Sequence, residues 1–156
     1  MNIIETNLEF GTLSKRSSTK RIILHHAAMN GSVEAVHNVH RAKGWSGIGY
    51  HFYVRKDGKI YRGRPEYAIG AHASGSNYNS IGICAEGNFE NETMSDAQKN
   101  SIKELVAYLK NKYKITTVVR HRDVGSTACP GKNYPFYYIT NGSVSADVSK
   151  PENNPV

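Results

Sequence analysis

One short stretch constrains this chain more than any other: RHRDVGSTACP, from Arg120 to Pro130. It carries His121 and, eight residues later, Cys129, and both are strong zinc-ligand types. A third candidate lies far upstream in RIILHHAAM, where an apolar run closes on His25 and His26. Structural zinc sites usually close on four ligands in short paired spacings. Catalytic sites take three protein ligands and keep a position for water. Two donors near the end and one near the start, with long gaps between them, point to the open, water-activating kind.

The residues around these donors set out the elements that carry them. Ile22, Ile23 and Leu24 read as a short buried strand that ends at His25. Neighbours along a strand point to opposite faces, so only one of His25 and His26 reaches a common metal. Ser32 is placed to cap a helix from Val33 to about Lys43 that Gly44 ends. His37 and His40 fall on its inner face and read as packing or hydrogen-bonding residues. GYHFYVRKDGKIYRGR, Gly49 to Arg64, reads as a β-hairpin turning at Asp57-Gly58. Alternation puts Tyr50, Phe52 and Val54 on one face and His51, Tyr53 and Arg55 on the other. Tyr50 is either a core tyrosine or a phenol aimed at the metal.

Further along, Ala68 to Asn79 is a polar Gly/Ser/Asn loop holding His72, and SIGICA, Ser80 to Ala85, is a buried strand. In that strand Cys84 reads as a small apolar side chain. Ser95 and Gln98 form a capping-box pattern, and Ile102, Leu105, Val106, Leu109 and Tyr113 repeat at helical spacing behind them. Thr116 to Arg120 is a strand that delivers His121. Tyr134 to Ile139 supplies an aromatic anchor or short terminal helix.

A chain of 156 residues builds one domain with a real core. The net charge of +7 favours anionic partners or simply solubility. The basic residues are dispersed without an RNA-binding signature, so charge is the only motive for a nucleic-acid reading. With Cys129 as a thiolate ligand, the two cysteines exclude a disulfide framework. The N-terminus, MNIIETNLEF, has Glu5 and Glu9 and no positive flank, which does not match a signal peptide. Synthesis in the cytoplasm is expected. From Asn141 onward the composition turns to Ser, Asn, Pro and charge. The expected division is a domain over 1–140, including an arm over 1–20, and a linker or tail over 141–156.

The stretches IILHHAA, GWSGIGYHFYVRKDGKIYRGR, GAHASGSNYNSIGI and RHRDVGSTACPG, in this order, resemble the type-2 N-acetylmuramoyl-L-alanine amidases. That family includes phage lysozyme-type endolysins and peptidoglycan recognition proteins. The resemblance covers about residues 20–139. It implies an α/β fold, a central mixed β-sheet flanked by helices, and cleavage of the amide between N-acetylmuramic acid and the L-alanine of the stem peptide. It implies Zn²⁺ on His25, His121 and Cys129, and so selects the first histidine of the pair. It also implies a catalytic Tyr50, a catalytic position at Thr127 where other members carry lysine, and a substrate-groove histidine at His72. Another branch has a catalytic glutamate where this chain has Cys84, so the tyrosine branch fits better.

The implied partner is bacterial peptidoglycan, met after release of an enzyme that carries no signal peptide, as in a phage or prophage endolysin. A longer parent with a separate wall-binding domain would account for a linker. The rival reading is a peptidoglycan-binding module without catalysis. Loss of the cysteine ligand marks such modules, and Cys129 is present. Ending the chain after Gly142 is expected to leave hydrolysis of soluble muropeptide unchanged, and a large loss of activity or of melting temperature would show that the tail docks on the domain.

Overall fold

The computed structural model describes residues 1–141. The expected linker or tail lies outside these residues from 142 onward, and Asn141 closes the last helix. The strands are β1 (Ile3–Ile4), β2 (Arg21–His26), β3 (Phe52–Val54), β4 (Ile60–Arg62), β5 (Ser80–Ala85) and β6 (Thr117–Arg120). The helices are α1 (Val33–Ala42), α2 (Asp96–Tyr113), α3 (His121–Val124) and α4 (Phe136–Asn141), with a 3₁₀ turn at Asn77–Asn79. The strands form one mixed sheet in the order β1-β4-β3-β5-β2-β6. Only β3 and β4 pair antiparallel; every other pair is parallel. No helix among the described residues is long and apolar enough to cross a membrane.

Central parallel strands are covered on both faces and therefore read as continuous apolar runs. RIILHH and SIGICA are such runs, and they pair along their full length, Arg21 with Ser80 through His26 with Ala85. On one face Ile22, Leu24, Ile81 and Ile83 meet the α2 stripe of Ile102, Leu105, Val106 and Leu109. On the other, Cys84 and Tyr53 meet Val33 and Val36 of α1. The serine caps behave as expected: Ser32 Oγ accepts from Ala35 N, and Ser95 Oγ accepts from Gln98 N. Gln98 does not close the capping box. Its side-chain amide instead donates to Val54 O and Glu86 O and ties α2 to the ends of β3 and β5.

Two features depart from the expected pattern. The arm is part of the sheet, since β1 pairs with β4, Ile3 with Ile60 and Ile4 with Tyr61. The hairpin turns where expected, with Gly58 at φ +90°, but its regular pairing is only three residues long. Beyond it, Gly63 N donates to His51 O and Arg64 N to Tyr50 O. Consecutive amides meeting consecutive carbonyls break the two-residue alternation. Tyr50 therefore leaves the face of Phe52 and Val54, which belong to the α2 side, and packs with Tyr53 and Cys84 on the α1 side.

Leu105 is fully buried in the α2 stripe. Leu105→Ala should lower unfolding stability by about 2–5 kcal/mol. The exposed Asn111→Ala on the same helix should stay within about 0.5 kcal/mol of the parent. Urea denaturation of the two variants measures the contrast, and equal losses would contradict this description of the core.

Candidate active site

The sheet register brings the donors together. β2 and β6 run parallel with Leu24 opposite Arg120, so the residues that follow, His25 in β2 and His121 at the start of α3, emerge at the same edge. This is the carboxyl edge of the sheet, where open α/β sheets place their ligand sites. The third donor arrives on the loop after α3. That loop is tied back by Arg122 N donating to Cys129 O at 2.9 Å and by Cys129 N donating to Thr127 Oγ1 at 3.2 Å. At the start of α3, Asp123 accepts from Arg120 N and from the Arg120 guanidinium, which fixes the turn that presents His121.

His25, His121 and Cys129 each offer one ligand atom, and these atoms lie within 4.8 Å of one another. On His25 the atom facing Cys129 is Nδ1, 3.7 Å from Sγ. Its Nε2 lies 2.8 Å from His72 Nδ1. His26 points the other way: its Nδ1 accepts from Phe89 N at 3.0 Å. Its backbone amide faces the Cys129 sulfur at 3.4 Å, a donor suited to a thiolate. Burial holds the His25 imidazole well below the ordinary 6.5, reinforced by His121, and burial also lowers His121. Burial pushes the Cys129 thiol up to about 12, and the His26 amide opposes that rise. A divalent cation reverses the preference and holds the sulfur as thiolate. Two neutral imidazoles and a thiolate with one open side fit a catalytic zinc donor set.

Tyr50 lies beside this cluster, its ring centroid 5.0 Å from that of His25. Burial, and then the Cys84 and Cys129 sulfurs, push its phenol well above the ordinary 10.0, so it holds its proton. Thr127 is exposed, and its oxygen is occupied by the Cys129 amide. His72 is only 7% exposed, in contrast to an ordinary loop histidine. A groove of about 500 Å³ runs over the site, bordered by Lys43, Trp45, Tyr50, His72, Asn77 and His121. A slightly larger cleft of about 540 Å³ lies beside the arm. Its charged groups pair with one another, Arg62 with Glu5 and Glu66, and Lys112 with Glu66, which leaves it without a reactive cluster.

The register, the donor triad and the groove now stand together, and a family model described as N-acetylmuramoyl-L-alanine amidase matches residues 15–132. The chain belongs to this family. The endolysin of Escherichia phage T7 is 34% identical over 142 residues, covering 85% of this chain and 94% of the phage protein. The solved N-acetylmuramoyl-L-alanine amidase LysC from Clostridium intestinale URNW superposes with a TM-score of 0.89 at 46% identity, covering 91% of this chain and 97% of its own. The bumblebee peptidoglycan recognition protein SA gives a TM-score of 0.80 at 26% identity, over 88% and 93% of the two chains. The mixed sheet flanked by helices is therefore the amidase fold.

Two further residues, Trp45 and His40, border the groove. Trp45, in the sequence only part of a matching stretch, is 39% exposed at the groove rim, with Lys43 Nζ 5.0 Å from its ring centroid. The chain's single tryptophan, directly after the glycine that ends a helix, is the signal the sequence carries. His40 packs as expected, its Nδ1 accepting from Gly49 N, and its ring also borders the groove 4.6 Å from that of Trp45.

Two histidines outside the donor triad give the amidase domain a pH signature. Burial lowers His40 to about 4 and His51 to about 3, from 6.5. Below pH 6.5 the unfolded chain binds protons that the folded rings refuse, so stability falls as pH falls toward about 4. The slope is at most about 1.4 kcal/mol per pH unit for each ring. His40→Asn keeps an acceptor for Gly49 N and should flatten the loss. Urea midpoints between pH 7 and 4.5 test this, and an unchanged slope in the variant would contradict it.

Proposed function

We propose that this chain is a zinc-dependent N-acetylmuramoyl-L-alanine amidase that cleaves the amide between N-acetylmuramic acid and the L-alanine of the stem peptide. The observation that carries the reading is the convergence of His25, His121 and Cys129, whose ligand atoms lie within 4.8 Å of one another, beside a groove that His121 itself lines. His25 through Nδ1, His121 and Cys129 would hold the ion. Zinc, when bound, supplies a Lewis acid for a carbonyl and lowers the pKa of water toward about 7.

The chain's own residues do the rest. The His26 amide donates to the Cys129 sulfur and favours its thiolate form. Tyr50 keeps its proton and so donates to the oxygen that gains charge as the scissile carbonyl is attacked. Thr127 spends its oxygen on the loop that carries Cys129, which leaves its hydroxyl proton free to donate. Trp45 offers an aromatic face to the glycan or peptide, and Lys43 offers a cation at the same groove to a carboxylate of the stem peptide. The intact cysteine ligand favours catalysis over binding alone. Likeness to phage endolysins supports a lytic role on the cell wall, in a phage or prophage.

Zinc analysis together with mass spectrometry of products from purified peptidoglycan tests the reading. Free stem peptides beginning with L-alanine should appear, stop when the metal is stripped and return with zinc. Full lysis by metal-free protein or by Cys129→Ala would contradict it. Tyr50→Phe should keep zinc and melting temperature while turnover falls by roughly a hundred- to thousandfold. Turnover at the parent rate would reduce Tyr50 to a packing residue.

A further inference from the structure

His72 does not behave as a groove wall alone. Its Nδ1 is 2.8 Å from His25 Nε2, on the side of the ring away from Cys129. Its Nε2 is 3.3 Å from Ser80 Oγ, and Ser80 Oγ donates to Ser76 O at 2.7 Å. This is a single file of polar groups with a fixed direction. A carbonyl only accepts, so the Ser76 oxygen claims the one hydroxyl proton of Ser80. The Ser80 oxygen then accepts, and the donor it faces is His72 Nε2–H. A neutral imidazole with its proton on Nε2 presents a lone pair on Nδ1. His25 must therefore carry its own proton on Nε2, where it donates to His72. That leaves His25 Nδ1 as a bare lone pair facing Cys129 and His121.

The file is held in place by backbone. His72 N and Ala73 N both donate to Asn77 Oδ1, at 2.8 and 2.9 Å. The His72 ring lies flat against β5 at Gly82, where a Cβ would come within 2.7 Å of its Cγ and Nδ1. Only glycine permits that approach. Ser80, two residues earlier on the same strand, is fully buried. The ring thus has one seat, and its two nitrogens have one partner each.

We infer that His72 is a positioning residue for the metal centre, which, through the His72–Ser80–Ser76 file, fixes the tautomer and ring orientation of His25 so that Nδ1 is the ligand atom. This rests on the zinc reading above. Outer-shell partners of this kind are worth about 10–100-fold in metal affinity. Asparagine carries an acceptor oxygen at the place of the histidine Nδ1, and leucine carries none.

Two measurements on the full chain test the inference. In metal-free parent protein, ¹⁵N chemical shifts and couplings should show His25 protonated on Nε2; a His25 protonated on Nδ1 would overturn the inference whatever the variants do. Zinc affinity, read by competition with a chromophoric chelator, should fall about 10–100-fold in His72→Leu and stay within about threefold of the parent in His72→Asn. A folded His72→Leu with parent affinity and an unchanged His25 tautomer would also overturn it. Failure of the parent to bind zinc at all would instead defeat the metal reading, with the tautomer measurement still deciding the role of His72.

Discussion

The structure depends on three parallel strands that end together. β5, β2 and β6 pair in register, so His25, Cys84 and the start of α3 share one edge. Parallel pairing requires long crossovers between strands. This is why donors that are nearly a hundred residues apart along the chain become neighbours in space. The same edge leaves strand carboxyl ends open to a groove, while α2 and its stripe close the opposite face. Core and site are thus two consequences of one sheet: one face is filled, and one edge is kept for chemistry.

Burial of histidine follows from that arrangement. Six of the seven histidines lie at 7% exposure or less, and His121, at the groove, is the exception. An unpaired buried imidazole is costly, so the ring nitrogens are assigned to specific partners. His26 holds Phe89 N, His37 holds Ile48 N, His40 holds Gly49 N and His51 holds Gly82 N. Three of these bonds pin amides outside the regular strands, and the fourth anchors His51 against β5. Neutral histidine is used here as a backbone acceptor that also fills volume.

Much of this could be read from the residues. The strand Ser80–Ala85 has the bounds its apolar run implies, and both serine caps act at the helices they precede. His121 and Cys129 stand out as candidate donors because the spacing of RHRDVGSTACP is distinctive, while only the family resemblance selects His25 over His26. What escaped was set by tertiary context. β1 is two residues of an unremarkable arm, and only pairing with β4 makes it a strand. Tyr50 changes face because the ladder breaks at Gly63 and Arg64, which no two-residue alternation foresees. Gln98 matches a capping box, yet its side chain finds partners in the carbonyls of Val54 in β3 and of Glu86 just after β5. The depth of His72 depends on Gly82, and the chemistry of a glycine in a strand is silent until something lies on it.

The central claim is that two imidazoles and one thiolate from this edge hold a single zinc ion. Zinc K-edge X-ray absorption on the purified, zinc-loaded chain tests it most directly. The account predicts one sulfur at about 2.3 Å and two imidazole nitrogens with one further light atom at about 2.0–2.1 Å. A first shell of nitrogen and oxygen without sulfur would contradict it.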